Sequence, residues 1–299
     1  MKTKIFSFLT LLCLIAVAFS SCWNEPNSDE EKTAEPVSEE FETQSGKTAH
    51  WSFENGKLIV SKYTPESILD GTGAEMPNYL LTDNSMFRLP SAPWATHKNF
   101  NFETDITEIV VSGFWRYIGM HAFQGCKGAK TLELSIGLEE IGERSFSDCS
   151  ALESLTLSKE LKKIRSYAFY NCKSIRSITF NENLRFIGEN AFSYCESLTS
   201  LEFLESLQTL MDAAFASCNG LTKLDIPVSA TDIRRNAFAS CKKISEVHVH
   251  WQIPPQSITD AFGTGDAFCD KATLYVPAGT KSLYQARKPW SMFKKIVEK

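Results

Sequence analysis

Residues 164–184 decide the fold, and they read IRSYAFYNCKSIRSITFNENL. Apolar side chains recur at fixed positions along this stretch, and polar side chains lie between them. The apolar positions are Ile164, Ala168, Phe169, Cys172, Ile175, Ile178, Phe180 and Leu184. This pattern is typical of one coil of a solenoid, in which every turn of the chain adds the same apolar positions to a shared core.

The pattern returns with a period of 23 residues. A phenylalanine, a cysteine and an aliphatic residue each keep this spacing through six units. The phenylalanines are Phe123, Phe146, Phe169, Phe192, Phe215 and Phe238; the cysteines are Cys126, Cys149, Cys172, Cys195, Cys218 and Cys241; the aliphatic residues are Ile118, Ile141, Ile164, Ile187, Leu210 and Ile233. Units in one register predict a repeat protein whose coils stack on their neighbours.

Each unit should contain a strand. At the end of residues 152–158, LESLTLS, apolar and polar residues alternate, which is β-strand behaviour. One coil cannot bury its apolar side chains alone, so neighbouring coils must share hydrogen bonds and apolar faces, and both ends need caps. The sequence therefore predicts a repeat solenoid, mainly parallel β with short helical turns, over residues 106–251.

Two flanking segments are predicted to be the caps. Residues 48–105 form the N-terminal cap, which opens with a hairpin around Asn55-Gly56, a pair typical of a two-residue turn. Residues 252–299 form a degenerate repeat, in which Ala261-Phe262 comes one residue late, followed by the C-terminal cap. Its last strand is expected in residues 272–277, and residues 280–299 are expected to fold as an amphipathic lid over the exposed sheet edge.

The first residues indicate export. Lys2 and Lys4 precede an apolar run of about 15 residues, and Ser20-Ser21 stand directly before Cys22. This run is shorter than the roughly 20 residues that a membrane-spanning helix needs, so residues 1–21 are predicted to be a cleaved signal peptide. Small residues before Cys22 resemble a lipobox, although Phe19 departs from the usual leucine. The resemblance implies that Cys22 is lipidated, and plain secretion is the alternative.

Residues 22–47 are rich in Glu, Asp, Ser and Pro and have almost no apolar periodicity, so we expect an acidic disordered tether. The acidic run after Cys22 resembles the surface-export signal of Bacteroidetes-type lipoproteins; a solvated linker is the alternative. The formal charge of −5 becomes −7 when Lys2 and Lys4 are removed. A net negative charge disfavours nucleic acid or an anionic membrane surface as a partner, so the membrane is contacted through the lipid only.

The repeat unit resembles the BspA-like leucine-rich repeat of the Treponema pallidum type, over about residues 48–299. The Ala-Phe pair of that family stands at five positions, Ser145-Phe146 replaces it once, and Ile226-Pro227 and Val276-Pro277 match its strand end. The five pairs are Ala122-Phe123, Ala168-Phe169, Ala191-Phe192, Ala214-Phe215 and Ala237-Phe238. The resemblance implies a right-handed superhelix on a secreted or surface protein, and some members of the family adhere to host matrix or to other bacteria.

The repeated cysteines raise the question of disulfides, because the protein is expected to be exported. Neighbouring coils lie within disulfide range, but a column of identical positions also packs well as buried thiols. We favour free thiols. One cysteine per coil does not form a tetrahedral metal site. His248 and His250 should share one side of a strand, as a metal or ligand site or as solvated histidines.

No motif for catalysis is present: the sequence lacks a nucleophile elbow, a phosphate-binding glycine loop and a zinc-hydrolase motif. The paired carboxylates Glu139-Glu140 and the pair Glu182 and Glu189 are better explained by solvation at coil edges than by a glycosidase role. We therefore expect a protein that is not an enzyme and needs no cofactor or metal.

The outward side of the strands is the candidate binding face. If Leu155 and Leu157 point inward, one outward column consists of Glu133, Thr156, Thr179, Glu202, Asp225, His248 and Tyr275. The flanking column consists of Thr131, Ser154, Ser177, Ser200, Lys223, Glu246 and Thr273. Such a polar surface suits a protein strand or a glycan, and it also suits plain solubility. Tyr170 and Tyr194 are further candidates for exposed aromatic contacts.

Two functions fit these features. The first is a surface-displayed module for adhesion or recognition, which binds a host or bacterial surface protein or glycan while a lipid anchors it to the outer membrane. The second is a structural or assembly component of the envelope with no soluble ligand. Glycan capture for nutrient uptake would require aromatic platforms and calcium-type carboxylate clusters, which are not apparent in the sequence.

Overall fold

The computed structural model describes residues 36–42, 48–61, 74–76, 92–96, 98, 101–263 and 268–299, all of them within one compact unit, Ala34–Lys299. The expected signal peptide at residues 1–21 and the expected lipidation site Cys22 lie outside the described residues. Among the residues that are described, no helix has the length and apolar character to cross a membrane.

Short strands dominate the fold. In chain order they are β1 (Val37–Glu42), β2 (Thr48–Glu54), β3 (Lys57–Ser61), β4 (Ala74–Glu75), β5 (Glu108–Ser112), β6 (Trp115–Ile118), β7 (Thr131–Glu133), β8 (Glu140–Ile141), β9 (Ser154–Thr156), β10 (Lys163–Ile164), β11 (Ser177–Thr179), β12 (Phe186–Ile187), β13 (Thr209–Leu210), β14 (Lys223–Ile226), β15 (Asp232–Ile233), β16 (Glu246–Val249), β17 (Thr273–Val276) and β18 (Lys295–Glu298). The described α-helices are α1 (Phe268–Lys271) and α2 (Lys281–Gln285), with 3-10 turns at Pro93–Thr96 and Trp290–Met292.

The chain alternates between two columns of parallel strands. The first column contains β5, β7, β9, β11, β14, β16 and β17, and the second contains β4, β6, β8, β10, β12, β13 and β15. Residues 23 apart pair across neighbouring coils, as Ile164 does with Ile141 and Ile187. The predicted parallel β-solenoid is confirmed. The coils turn through tight bends, and the described α-helices lie near the C-terminus.

The repeated phenylalanines form a continuous stack through the core. Six successive rings, from Phe123 to Phe238, lie with centroids 5.1–5.9 Å apart and interplanar angles of 6–10°. Each of these rings is at most 1% exposed. Parallel coils place equivalent side chains directly above one another, so one phenylalanine per coil becomes a column whose rings desolvate each other.

The repeated cysteines form a second buried column, and they are thiols. The Sγ of Cys149 donates to the carbonyl oxygen of Phe123 at 3.3 Å, and Cys172 donates in the same way to Phe146 at 3.2 Å. Three further coils repeat the bond, from Cys195, Cys218 and Cys241 to Phe169, Phe192 and Phe215. Each of these five thiols therefore satisfies a carbonyl of the preceding coil while it fills the space beside the phenylalanine stack.

Each bend contains two residues in the left-handed backbone region. One lies two positions before the stacked phenylalanine, and the other lies two positions after it. The first position holds His121, Arg144, Tyr167, Asn190, Ala213 and Asn236, and the second holds Gly125, Asp148, Asn171, Tyr194, Ser217 and Ser240, with φ from 52° to 82°. This backbone aims N–H groups at the next coil, as Tyr167 N donates to Glu189 O at 2.8 Å. We call the surface made by these bends the turn face.

At the N-terminal end, β2 and β3 form the predicted hairpin, with Asn55 (φ 51°) and Gly56 (φ 78°) in its turn. Strand β1 pairs antiparallel with β2, so the predicted disorder of residues 22–47 does not hold for Val37–Glu42. The ring of Phe41 contacts Trp94 with centroids 5.7 Å apart, and Trp94 in turn stacks on Phe123 at 5.3 Å. Apolar contacts of Val37 and Phe41 with the core, together with strand pairing, thus order an otherwise acidic segment.

At the C-terminal end, the predicted lid contains α2, a 3-10 turn and a further strand. Tyr284, Trp290, Phe293 and Ile296 are buried, as an amphipathic lid requires, and Phe262 packs edge-on against Trp290 and Phe293. The lid does not simply cover the sheet edge, because β18 pairs in parallel with β17 and becomes the new edge. Exposed charges on Lys295 and Glu298 discourage further strand pairing there.

Candidate binding surfaces

The predicted binding face lies on the outward side of the first strand column, and we call it the strand face. Its members are Glu133, Thr156, Thr179, Glu202, Asp225, His248 and Tyr275. The backbone register pairs Thr156 with Thr179, and pairs His248 with both Asp225 and Tyr275. The first four residues are exposed and the last three are half-buried. Glu202 is not in a strand, because residues 201–203 carry no strand hydrogen bonding.

The C-terminal half of the strand face is an ordered cluster. The His248 ring stacks on the Tyr275 ring with centroids 4.4 Å apart and an interplanar angle of 21°. The Nζ of Lys299 lies 3.7 Å from the centroid of the same tyrosine ring, a cation–π contact. Glu246 Oε2 lies 3.2 Å from His248 Nε2. The backbone of β16, β17 and β18 therefore holds an aromatic and charged surface in place before any partner arrives.

Asp225 extends this cluster by one coil. Its Oδ1 lies 2.7 Å from His250 Nε2, and its Oδ2 lies 3.6 Å from Lys223 Nζ. The two histidines therefore share the strand face, as the sequence predicts, but each has a carboxylate partner of its own. Within the described ranges, no group of three or more His, Cys, Asp or Glu side chains could hold a metal ion. Trp251 is 4% exposed and does not contribute to this surface.

The N-terminal half of the strand face is flatter and mostly uncharged. Thr131, Ser154, Ser177 and Ser200 of the flanking column are exposed beside Thr156 and Thr179. Thr273, predicted to belong to the same column, is 8% exposed and is covered. Small hydroxyls offer donors and acceptors along these strands, with Glu133 and Glu202 as isolated carboxylates, whereas the paired ionic and aromatic groups lie in the last three coils.

The carboxylate pair weighed as a catalytic candidate forms ion pairs. Glu139 Oε2 lies 3.1 Å from Lys162 Nζ and 3.6 Å from Arg116 Nη2, and Glu140 Oε1 accepts from Arg165 Nε at 2.6 Å. The hydrogen bond to Glu140 raises the pKa of the Arg165 guanidinium. These contacts link neighbouring coils, so a structural explanation is sufficient for both carboxylates.

A second surface, on the turn face, joins three tyrosines. Tyr167 and Tyr170 have ring centroids 5.5 Å apart, and Tyr170 and Tyr194 have the same separation. Arg144 Cζ lies 4.1 Å from the centroid of the Tyr167 ring. Tyr194 is 42% exposed, whereas Tyr170 is half-buried, which corrects the prediction that both are freely exposed. We call Tyr167, Tyr170 and Tyr194 the tyrosine cluster.

Sequence reasoning missed Tyr167 because it is three residues from Tyr170 in a bend whose path the repeat pattern does not specify. A weak signal was present: two of the five equivalent positions hold asparagine, Asn190 and Asn236, which tolerates a left-handed backbone. A bulky tyrosine there departs from the local preference.

Stacked coils with a 23-residue period, a phenylalanine column and a cysteine column define a leucine-rich-repeat solenoid. The family model of the BspA type Leucine rich repeat region matches residues 96–219 and 162–260, in six copies. The chain therefore belongs to the BspA type leucine-rich repeat family.

The chain also aligns with solved bacterial protein structures at low identity. A Treponema pallidum leucine-rich repeat protein aligns at 21% identity with a TM-score of 0.47, covering 69% of this chain and 87% of the other. A leucine-rich repeat protein from Bacteroides ovatus aligns at 18% identity with a TM-score of 0.38, covering 84% and 75%. The pneumococcal vaccine antigen PcpA aligns at 14% identity with a TM-score of 0.34, covering 87% and 98%. No curated protein sequence matches the chain.

Proposed function

We propose that this protein is a surface-displayed, non-enzymatic binding module, which recognises a protein or glycan of a host or bacterial surface through its strand face. The observation that carries the proposal is the stack of Lys299, Tyr275 and His248. Side chains that are already held together lose less conformational entropy when a partner binds, so a pre-ordered aromatic surface favours recognition. Tyrosine is also among the residues enriched in binding surfaces.

The division of the strand face supports a localised contact. Asp225, Glu246, His248 and His250 present both acceptors and donors around Tyr275, whereas the earlier coils present mostly hydroxyls, with single carboxylates at Glu133 and Glu202. A partner would place its polar groups against the charged cluster and extend along the hydroxyl rows. Plain solubility accounts for exposed serines and threonines, but it does not require an aromatic ring held between a lysine and a histidine.

We infer the location from the N-terminal sequence. Lipid attached to Cys22 would anchor the protein in the outer membrane, and the residues between Cys22 and the solenoid would carry the strand face away from the bilayer. Each acyl methylene buried in a membrane contributes about 0.8 kcal/mol, so more than one chain is needed for stable anchoring. The tether's negative charge gives no electrostatic attraction to anionic lipid.

The test is a binding screen of the compact unit, residues 34–299, against matrix proteins, mucins and glycans by surface plasmon resonance. The variant Asp225→Ala/His248→Ala/Tyr275→Ala removes the charged cluster, and Thr156→Ala/Thr179→Ala is the matched control on the hydroxyl half. Far-UV circular dichroism of each variant verifies the fold.

A partner whose binding falls at least roughly tenfold in the first variant, and little in the second, would support recognition at the cluster. Binding that both variants retain would refute the strand face as the site. A well-folded protein that binds nothing in the screen would instead support the structural or assembly role in the envelope.

A further inference from the structure

Two residues of the tyrosine cluster have a backbone conformation that is unfavourable for tyrosine. Tyr167 (φ 59°) and Tyr194 (φ 63°) occupy left-handed positions. Most L-residues are disfavoured there, and bulky ones are particularly uncommon. Other coils place His121, Arg144, Asn190, Ala213 and Asn236 at the position of Tyr167, and Asn171 stands at the position of Tyr194, so the bend forms without tyrosine. Since other coils form the same bend without tyrosine, the fold does not require these rings, and a role at the surface would account for them.

The cluster is small and isolated. Between residues 137 and 227, Tyr194 is the one strongly exposed large apolar side chain of the described chain. The rings are not coplanar: Tyr170 is inclined by 58° to Tyr167 and by 72° to Tyr194. A stable protein interface buries about 800 Å² on each partner around an apolar centre. Three partly covered rings form a site nearer the size of one or two sugar residues.

Hydrogen-bonding groups surround the rings. The Tyr167 hydroxyl donates to Glu189 Oε1 at 3.3 Å, and Asn171 Nδ2 donates to Asp148 Oδ1 at 2.7 Å. Arg144 lies over Tyr167 and is paired with Glu143 at 3.8 Å. Because carboxylates outnumber this partly neutralised cation, an anionic ligand would be repelled, whereas neutral hydroxyls can donate to the carboxylate oxygens.

We propose that the tyrosine cluster is a second binding site, which takes a neutral pyranose oligosaccharide. The C–H face of a pyranose ring packs on the exposed face of Tyr194 and against Tyr170, and ring hydroxyls donate to Asp148 and Glu189. This site is on the turn face, so it is separate from the strand face and does not depend on it.

The test measures binding of maltohexaose, cellohexaose and xylohexaose to residues 34–299 by isothermal titration calorimetry, with a heparin hexasaccharide as the anionic comparison. The variants are Tyr167→Asn, Tyr170→Ser and Tyr194→Asn. Each introduces the residue that a neighbouring coil has at the same position, namely Asn190, Ser193 and Asn171, so the fold is preserved.

At least one neutral hexasaccharide should bind, and Tyr194→Asn should weaken it roughly tenfold or more. Urea unfolding should show that Tyr167→Asn and Tyr194→Asn are no less stable than the parent, because asparagine relieves the backbone cost. The strand-face variant Asp225→Ala/His248→Ala/Tyr275→Ala should keep its sugar affinity, which separates this site from the proposed function.

The proposal is overturned if no neutral hexasaccharide binds, if binding survives Tyr170→Ser combined with Tyr194→Asn, or if heparin binds more tightly than every neutral probe. Loss of a protein partner, with no sugar bound, upon the tyrosine substitutions would reassign the cluster to a protein interface.

Discussion

The thiol column makes the solenoid sensitive to alkaline pH. Burial raises the pKa of Cys149 to about 12, from an ordinary value of 9.0. Burial also raises the thiol pKa values of four other coils, those of Cys126, Cys172, Cys195 and Cys218. Below pH 9 these thiols are protonated in both the folded and the unfolded chain. Above pH 9 the unfolded chain loses protons that the folded chain keeps, so the free energy of unfolding falls as the pH rises toward the folded values.

The size of the effect follows from proton linkage. Each thiol contributes about 1.4 kcal/mol of lost stability for each pH unit between the two pKa values. For Cys149, that window is from pH 9 to about 12. Between pH 9 and pH 10 the loss for Cys149 is about 1 kcal/mol, because the unfolded thiol is already half-deprotonated at pH 9, and the four other thiols change stability in the same direction.

The assay is urea unfolding of residues 34–299 under reducing conditions, followed by circular dichroism at pH 8, 9, 9.5 and 10. Other groups titrate in the same range, so the decisive quantity is the difference in pH slope between the parent and Cys149→Ala/Cys172→Ala/Cys195→Ala. That variant should lose less stability than the parent as the pH rises from 9 to 10, because three of the buried thiols no longer take part in the linkage. The single variant Cys149→Ala, expected to lose about 1 kcal/mol less than the parent between pH 9 and pH 10, serves if the triple variant does not fold. Equal slopes in parent and variants would refute the linkage.

Further predictions concern the core, the bends and the anchor. Phe169→Ala should lower the free energy of unfolding by about 3–5 kcal/mol, because it opens a cavity in the ring stack; a loss below 1 kcal/mol in urea unfolding would contradict continuous packing. Ala213→Gly should leave stability unchanged or raise it, since φ is 56° there, whereas Ala214→Gly in the buried neighbour should lower it by about 1 kcal/mol. Cys22→Ala should abolish incorporation of labelled palmitate and release the protein from the membrane fraction; label retained in the variant would exclude Cys22 as the lipidation site.

The repeating core was predictable from sequence. A constant period places equivalent residues of successive coils directly above one another. Burial in the shared core then requires apolar residues, such as Phe169, Cys172 and Ile164, at the same position in each coil. The hairpin at Asn55-Gly56 was predictable for a similar reason, because its turn is a local backbone preference. These features depend on residues close in sequence or separated by one period.

The surfaces depended on the tertiary structure. Tyr167 joins Tyr170 and Tyr194 only because two left-handed residues shape each bend, and the apolar pattern carries no record of that backbone path. Lys299 contacts Tyr275 because the C-terminal cap places β18 beside β17. The segment Val37–Glu42 is ordered because β1 pairs with β2 and Phe41 packs against Trp94.

By itself the sequence determined the solenoid, its period and the residues of its core, because stacking buries whatever recurs every 23 residues. The tertiary structure decided which exposed side chains meet. Contacts between neighbouring coils and caps are fixed by the path of the bends and by the return of the chain as β18 beside β17. The 23-residue pattern of residue types specifies neither of these.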